Sequence, residues 1–327
     1  MRHVALLAAS LCYVAHANAQ LTPDRLYYGI HRAMPMAVKV PDNLREAKAE
    51  VRLYAVSGEV RGSAPVVQGP IDLAALLPVL WTRQSVTTAD VLYAQLVVGE
   101  RGIGPAVVLQ PLVEPPYCVY VEQETNEPKY REGRGFYTGI RAYVDRFVSL
   151  KTSMGEIVFA MRPDHAPNTV WNFMELARGG FYTGVVFHRV KALHPNGSPF
   201  VIQAGDPSQM RDTTTPADGG PGYFINLEPS KLPHDFGVIS MARNRMPNSA
   251  GSQFFVCLSR DGTSFLDGQY TSFGQAVAGA DVIQKIAAVE VVAETDRPRD
   301  PPVILSASLV DAPPFPERPK PVLAPSR

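Results

Sequence analysis

The 327-residue sequence predicts a mainly β protein in which an eight-stranded antiparallel barrel, capped by two α-helices, follows a small, mostly β unit. Three observations carry that expectation. In the second half, the runs YVDRFVSL, MGEIVFAM, VVFHRV, FVIQAG, GVISMA, QFFVCL, TSFGQAVA and VILSASLV are short and apolar-rich, as strands are. Among them, APNTVWNFMELARGG and GADVIQKIAA repeat their apolar residues at helical spacing. Earlier in the chain, EVRLYAV alternates, and VLYAQLVV and PAVVLQPLV flank the glycine-rich turn GERGIG. Many short strands with two helices suit a closed barrel with covered ends.

Taken in order, residues 1–19 have a basic start, Arg2 and His3, then an apolar run from Val4 to Val14, then Ala17-Asn18-Ala19 before Gln20. This is the layout of a secretory signal peptide, and the run is too short for a bilayer span of roughly 20 residues. The expected location is periplasmic or secreted, with no membrane insertion once the leader is removed. Residues 20–135 form the first, mostly β unit and its connection. There Val51, Leu53 and Ala55 share one face of a strand, and DLAALLPVLW reads as a short helix starting at Asp72 and broken by Pro78. The charged stretch EQETNEPKYREGRG, 122–135, reads as a surface connection. Residues 136–311 hold the barrel. Within it Pro167 suits a first helical turn, Val170, Phe173, Leu176 and Ala177 make an apolar stripe, and Gly179 can end the helix. The proline-dense end, 312–327, reads as an extended, mobile tail.

Composition excludes several functions. Lys+Arg and Asp+Glu both number 31, so no overall field draws in nucleic acid. Beyond the leader only Cys118 and Cys257 remain, too few for a disulfide-stapled secreted domain, and both are expected as packed thiols. His188 and His194 flank a loop without any HExxH or CxxC spacing, so no metal site is expected.

One feature of the sequence calls for chemistry. Arg189 stands among apolar residues in FHRV, and the nearest acid in that stretch, Asp206, lies beyond a Pro/Gly loop. An arginine so placed needs a partner. The pieces FHRV, FVIQAGDP, GGPGYF, GVISMARN, PNSAGSQFFV, FLDGQYTSFG and ADVIQKI, in that order, resemble a cyclophilin-type peptidyl-prolyl cis-trans isomerase over roughly residues 143–311. The resemblance implies a cyclophilin-like barrel with a peptide groove on its outer face. It is silent about the first unit, whose partner, if it has one, is unknown.

Carried over residue by residue, the resemblance makes Arg189 the catalytic arginine and Gln203 its companion. Phe200, Val201, Phe255, Leu266 and Tyr270 become the walls of a proline pocket, with Gln253, Ala242 and Arg243 beside the substrate backbone. Phe265 and Tyr270 stand where many members have tryptophan and histidine, and KALHPNGSP is longer than the usual loop. The implied substrates are unfolded or partly folded proline-containing proteins. An X-Pro amide resists rotation by about 18–20 kcal/mol because of resonance. A guanidinium aimed at the prolyl nitrogen favours the twisted amide over the planar one, and the reaction requires no nucleophile, metal or cofactor. The competing reading is a non-catalytic proline-peptide-binding or scaffold module whose groove the long loop distorts. A third has the first unit packing over the groove and restraining it.

Overall fold

Period-two alternation divides the apolar residues of the second half between the two faces of one sheet. The computed structural model describes residues 20–83, 86–209 and 218–324; the expected leader, 1–19, and residues 325–327 of the tail lie outside them. Eight antiparallel strands run in the order Arg189–Leu193, Pro199–Ala204, Phe254–Cys257, Val238–Met241, Ser272–Ala278, Gly155–Met161, Arg146–Thr152 and Ile304–Asp311. The sheet curls until its edges meet. Val186 bridges Val303, and Phe187 N–H donates to the Pro302 carbonyl at 2.9 Å.

Inward-facing Val190, Ile202, Ile239, Phe254, Val256 and Phe273 fill the barrel. Two helices close it. Pro167–Arg178 contributes Val170, Phe173, Met174 and Ala177, and Ala280–Ala287 contributes Val282, Ile283 and Ile286. Phe173 meets Phe254 edge-on at 5.4 Å. Ala166 has no side chain to cap the first of these helices. Glu228, from a distant loop, does so instead, accepting from Thr169 N–H at 2.7 Å and Thr169 Oγ at 2.6 Å. Burial raises the Glu228 pKa, and these bonds work against that rise.

The first unit is built on a second sheet, ordered Tyr27–Gly29, Gly139–Val144, Val107–Leu112, Leu92–Val98, Ala49–Ala55 and Val60–Val66. Its central strands are buried on both faces. Val51, Leu53, Leu92, Ala94, Leu96, Val107, Leu109 and Ile140 pack on the unit's own core. Tyr54, Tyr93, Val108 and Tyr143, on the other face, join the barrel's cluster. On the second face of EVRLYAV only Tyr54 joins the barrel's cluster, while Glu50 and Arg52 form a partly exposed ion-pair group with Glu100. Asp72 caps the Leu73–Leu76 helix, which stops before Pro78 as expected.

Three expectations need correction. Residues 139–144, grouped by composition with the barrel, pair with Tyr27–Gly29 and Val107–Leu112, so the sheets part at Asp145. The connection 122–135 is not plain coil: Pro128–Arg131 pairs with Tyr117–Val121 as a two-stranded ribbon, and its PKYR strand, four residues with two cations, is too short to show an apolar period. Through residue 324 the proline-dense tail packs against both sheets. Phe315 stacks on Tyr93 at 4.3 Å, and its N–H donates to Gln95 Oε1 at 2.9 Å. Arg318 lies over Tyr93 and pairs with Asp145, and Val322 N–H donates to the Ala276 carbonyl at 2.9 Å. Apart from a 3-10 turn at Phe315–Glu317 the strap is irregular, and single buried side chains, which have no periodicity, hold it down.

Arg318→Ala strands the nearly buried Asp145 carboxylate at the junction of the two sheets. The expected cost is about 2–4 kcal/mol, read from the shift of the urea unfolding midpoint, with Arg318→Lys losing less.

Candidate active site

Cross-strand register brings the predicted residues together. Arg189 lies opposite Gln203, Gln203 opposite Phe255, and Phe255 opposite Ser240, so one row of outward-facing side chains crosses four strands. Their neighbours Val190, Ile202 and Val256 point into the core. A cavity of about 200 Å³ opens over this row, lined by Arg189, Phe200, Val201, Gln203, Ala242, Arg243, Phe255, Leu266 and Tyr270. Gln253 is the one predicted site residue that does not line it. It lines the adjoining cavity of about 770 Å³ with Gly219, Pro221 and Tyr223 from the GGPGYF segment.

A polar relay sets how the amides point. Arg189 Nη1 donates to Gln203 Oε1 at 3.4 Å, Gln203 Nε2 to Gln253 Oε1 at 3.1 Å, and Gln253 Nε2 to Asp206 Oδ2 at 3.2 Å. The guanidinium can only donate and the carboxylate only accept, so the two ends dictate both amide orientations. Asp206, fully buried, also accepts from Ser208 N–H at 2.8 Å and Gly219 N–H at 3.0 Å. A Cβ at Gly219 would stand 2.1 Å from its Oδ1, which is why glycine occupies that position.

The acid that meets Arg189 is Asp296, far along the chain, not the nearby Asp206. Arg189 Nε donates to Asp296 Oδ2 at 3.3 Å, and Asp296 is held by Val190 N–H donating to its carbonyl at 2.8 Å. The Arg189 side chain is still 38% exposed. The long 191–199 segment does not cover it. Its extra residues form a hairpin tip closed by His194 N–H donating to the Ser198 carbonyl at 2.8 Å, and the His194 ring leans on Phe200 and Phe265.

Beneath the apolar wall lies an unpredicted support. The His234 ring stacks on Phe255 at 6.0 Å; its Nδ1 is 2.9 Å from Asp267 Oδ1 and its Nε2 2.9 Å from Ser240 Oγ. Because the carboxylate accepts from Nδ1–H, the neutral ring accepts the Ser240 hydroxyl proton at Nε2. Burial lowers the His234 pKa, and Asp267 acts against that. The order acid, imidazole, hydroxyl is that of a nucleophile triad, yet Ser240 is fully buried. With Asp267 it holds the His234 ring against Phe255. On the rim, Arg243 lies over the Tyr270 ring at 4.5 Å and donates from Nη2 to the Gln269 carbonyl at 3.1 Å. Asp296, His234 and Asp267 escaped sequence reasoning because each acts across the fold, and each is an ordinary residue in its own stretch.

Residues 147–309 match the family model for cyclophilin type peptidyl-prolyl cis-trans isomerase/CLD. A peptidyl-prolyl cis-trans isomerase-like 1 of Emericella nidulans is 40% identical over 169 residues, which is 50% of this chain and 95% of that protein. A peptidyl-prolyl cis-trans isomerase of Schizosaccharomyces pombe is 37% identical over 165 residues, 49% of this chain and 96% of its own. A solved cyclophilin type peptidyl-prolyl cis-trans isomerase of Cryptosporidium parvum is 27% identical and covers 50% of this chain and 96% of its own, with a TM-score of 0.43.

His188, beside Arg189, is nearly buried; its two ring nitrogens have no hydrogen-bond partner among the described residues, and desolvation lowers its pKa to about 4. The unfolded chain takes up this proton near pH 6.5 and the folded one does not, so stability is full above that pH and declines as pH falls toward 4. The expected loss between pH 7.5 and 4.5 is about 2–3 kcal/mol. Urea unfolding at both pH values should show it, and His188→Phe should show a correspondingly smaller loss.

Proposed function

The chain belongs to the cyclophilin-type peptidyl-prolyl cis-trans isomerases, and we propose that its barrel speeds X-Pro rotation with Arg189 donating to the prolyl nitrogen of the twisted amide. The single observation that carries the Arg189 role is the juxtaposition of its guanidinium with an apolar cavity of about 200 Å³. Phe255, Leu266 and Val201 supply greasy walls for a pyrrolidine ring. As the amide twists, its nitrogen loses conjugation and becomes an acceptor, and a donor already aimed there lowers the barrier without binding the planar forms equally well. Asp296 and Gln203 engage two of the five N–H donors of Arg189, which orients the fork and leaves donors for substrate. Gln203 Nε2 gives one hydrogen to Gln253 and keeps a second for a substrate carbonyl.

Substrates, on this reading, are unfolded or partly folded proline-containing polypeptides, whose uncatalysed isomerisation takes tens to hundreds of seconds, roughly. The leader pattern of residues 1–19 supports action on exported proteins in the periplasm or along a secretory route. If so, the protein recovered outside the cytoplasm begins at Gln20 by N-terminal sequencing; a chain there that still begins at Met1 overturns the export proposal.

Replacing Arg189 by Ala should cost about 3–4 kcal/mol of transition-state stabilisation, or roughly 10²- to 10³-fold in kcat/KM, in two-dimensional exchange NMR on a short X-Pro peptide. Unchanged exchange in a folded Arg189→Ala protein would remove Arg189 from the mechanism. Peptide binding without exchange cross-peaks in the unaltered protein would favour the inert binding module.

A further inference from the structure

The ribbon of the first unit reaches the rim of the isomerase groove. Its turn is tied there by Asn126 Nδ2, which donates to Gln269 Oε1 at 2.6 Å, and its first strand by Asn248 Nδ2, which donates to the Cys118 carbonyl at 2.7 Å. Between ribbon and barrel runs a trough of about 830 Å³ with Val119 and Tyr120 on one wall and Met246 and Pro247 on the other. Polar residues, among them Gln123, Asn244 and Gln269, line the rest of it, together with Arg243 and Tyr270, which also line the proline cavity. Two separate parts of the chain thus present large apolar side chains to one trough, with Val119 55%, Tyr120 53% and Met246 60% exposed. Apolar surface converging in this way on a concave site marks a place of binding.

We infer that this trough is a second substrate subsite, taking an apolar side chain from the polypeptide a few residues away from the proline held in the first cavity. The inference rests on the isomerase reading for its occupant. Trough and cavity share the partition of Arg243 stacked on Tyr270, so an extended chain leaving the proline cavity on that side passes directly onto Tyr120 and Met246. The ribbon therefore extends the groove instead of lying over the proline cavity. It adds contacts beyond the X-Pro pair on the Arg243–Tyr270 side of the groove.

The test uses the full chain, Val119→Ser/Tyr120→Ser, and three synthetic peptides: a capped Ala-Pro dipeptide, a 12-residue peptide with Leu and Tyr flanking a central Ala-Pro, and the same peptide with Ser at those flanks. Both substituted positions are half exposed, so the fold should tolerate them. The unaltered protein should have a KM about five- to tenfold lower for the apolar peptide than for the Ser-flanked one, the size expected for burying about half of one large apolar side chain. In the double variant that preference should vanish, while exchange on the dipeptide, too short to reach the ribbon, stays within about twofold. Equal KM values in the unaltered protein, or a preference that survives in the variant, overturn the subsite. Peptide Kd values measured with Arg189→Ala separate the two readings. A preference in Kd retained there, with no catalysis on any peptide by the unaltered protein, upholds the subsite and refutes the isomerase mechanism; catalysis on the dipeptide by the unaltered protein, with no preference in either protein, does the reverse.

Discussion

The pleat of two neighbouring strands, Pro199–Ala204 and Phe254–Cys257, governs both the core and the site of this molecule. Ile202 and Val256 go inward as a pair, and Gln203 and Phe255 go outward as a pair. Because side chains alternate with period two, a slip of one residue would put Ile202 and Phe254 into the groove and drive Gln203 into an apolar interior. Burial of the inner set is worth about 1.5–3 kcal/mol per large side chain, and that preference holds the outer set in register. Core packing and groove geometry are the same constraint seen from two sides.

Around that row, each functional group is held by something that cannot easily move. Asp206, locked in a buried loop, fixes the relay at one end; Asp296, locked to the barrel through Val190, fixes Arg189 at the other. His234 stacks on the Phe255 wall from below and is itself pinned between Asp267 and Ser240. On the proposed mechanism a donor so fixed need not reorganise as the amide twists, whereas water in its place would have to. The outer unit is bound in by similar means. Tyr54 and Tyr93 share a cluster with the barrel, and the proline-dense strap adds Phe315 and Arg318 to that seam. This attachment holds the 117–131 ribbon beside the groove.

Much of this was legible from the residues alone, for identifiable reasons. The eight barrel strands and two capping helices declared themselves because each must bury a face, and burial imposes a period. Arg189, Gln203 and the pocket walls Phe200, Val201, Phe255, Leu266 and Tyr270 sit in short stretches whose order carried the family resemblance, and they do meet around one cavity. The ribbon and strap were misread because Pro128–Arg131 pairs without an apolar stripe, and Phe315 and Arg318 are anchored singly.

What the sequence by itself determined was local: which segments extend, which coil, and which stretch carries a charged fork beside apolar positions. Those properties depend on neighbours along the chain, through periodicity, caps and glycine or proline. Tertiary structure alone decided that Asp296 meets Arg189, that His234 supports Phe255, and that Tyr120 of the first unit stands opposite Met246 of the barrel. These contacts join residues far apart in sequence, and no local pattern specifies them, because a carboxylate or a ring satisfies its own stretch equally well whichever distant partner folding brings to it.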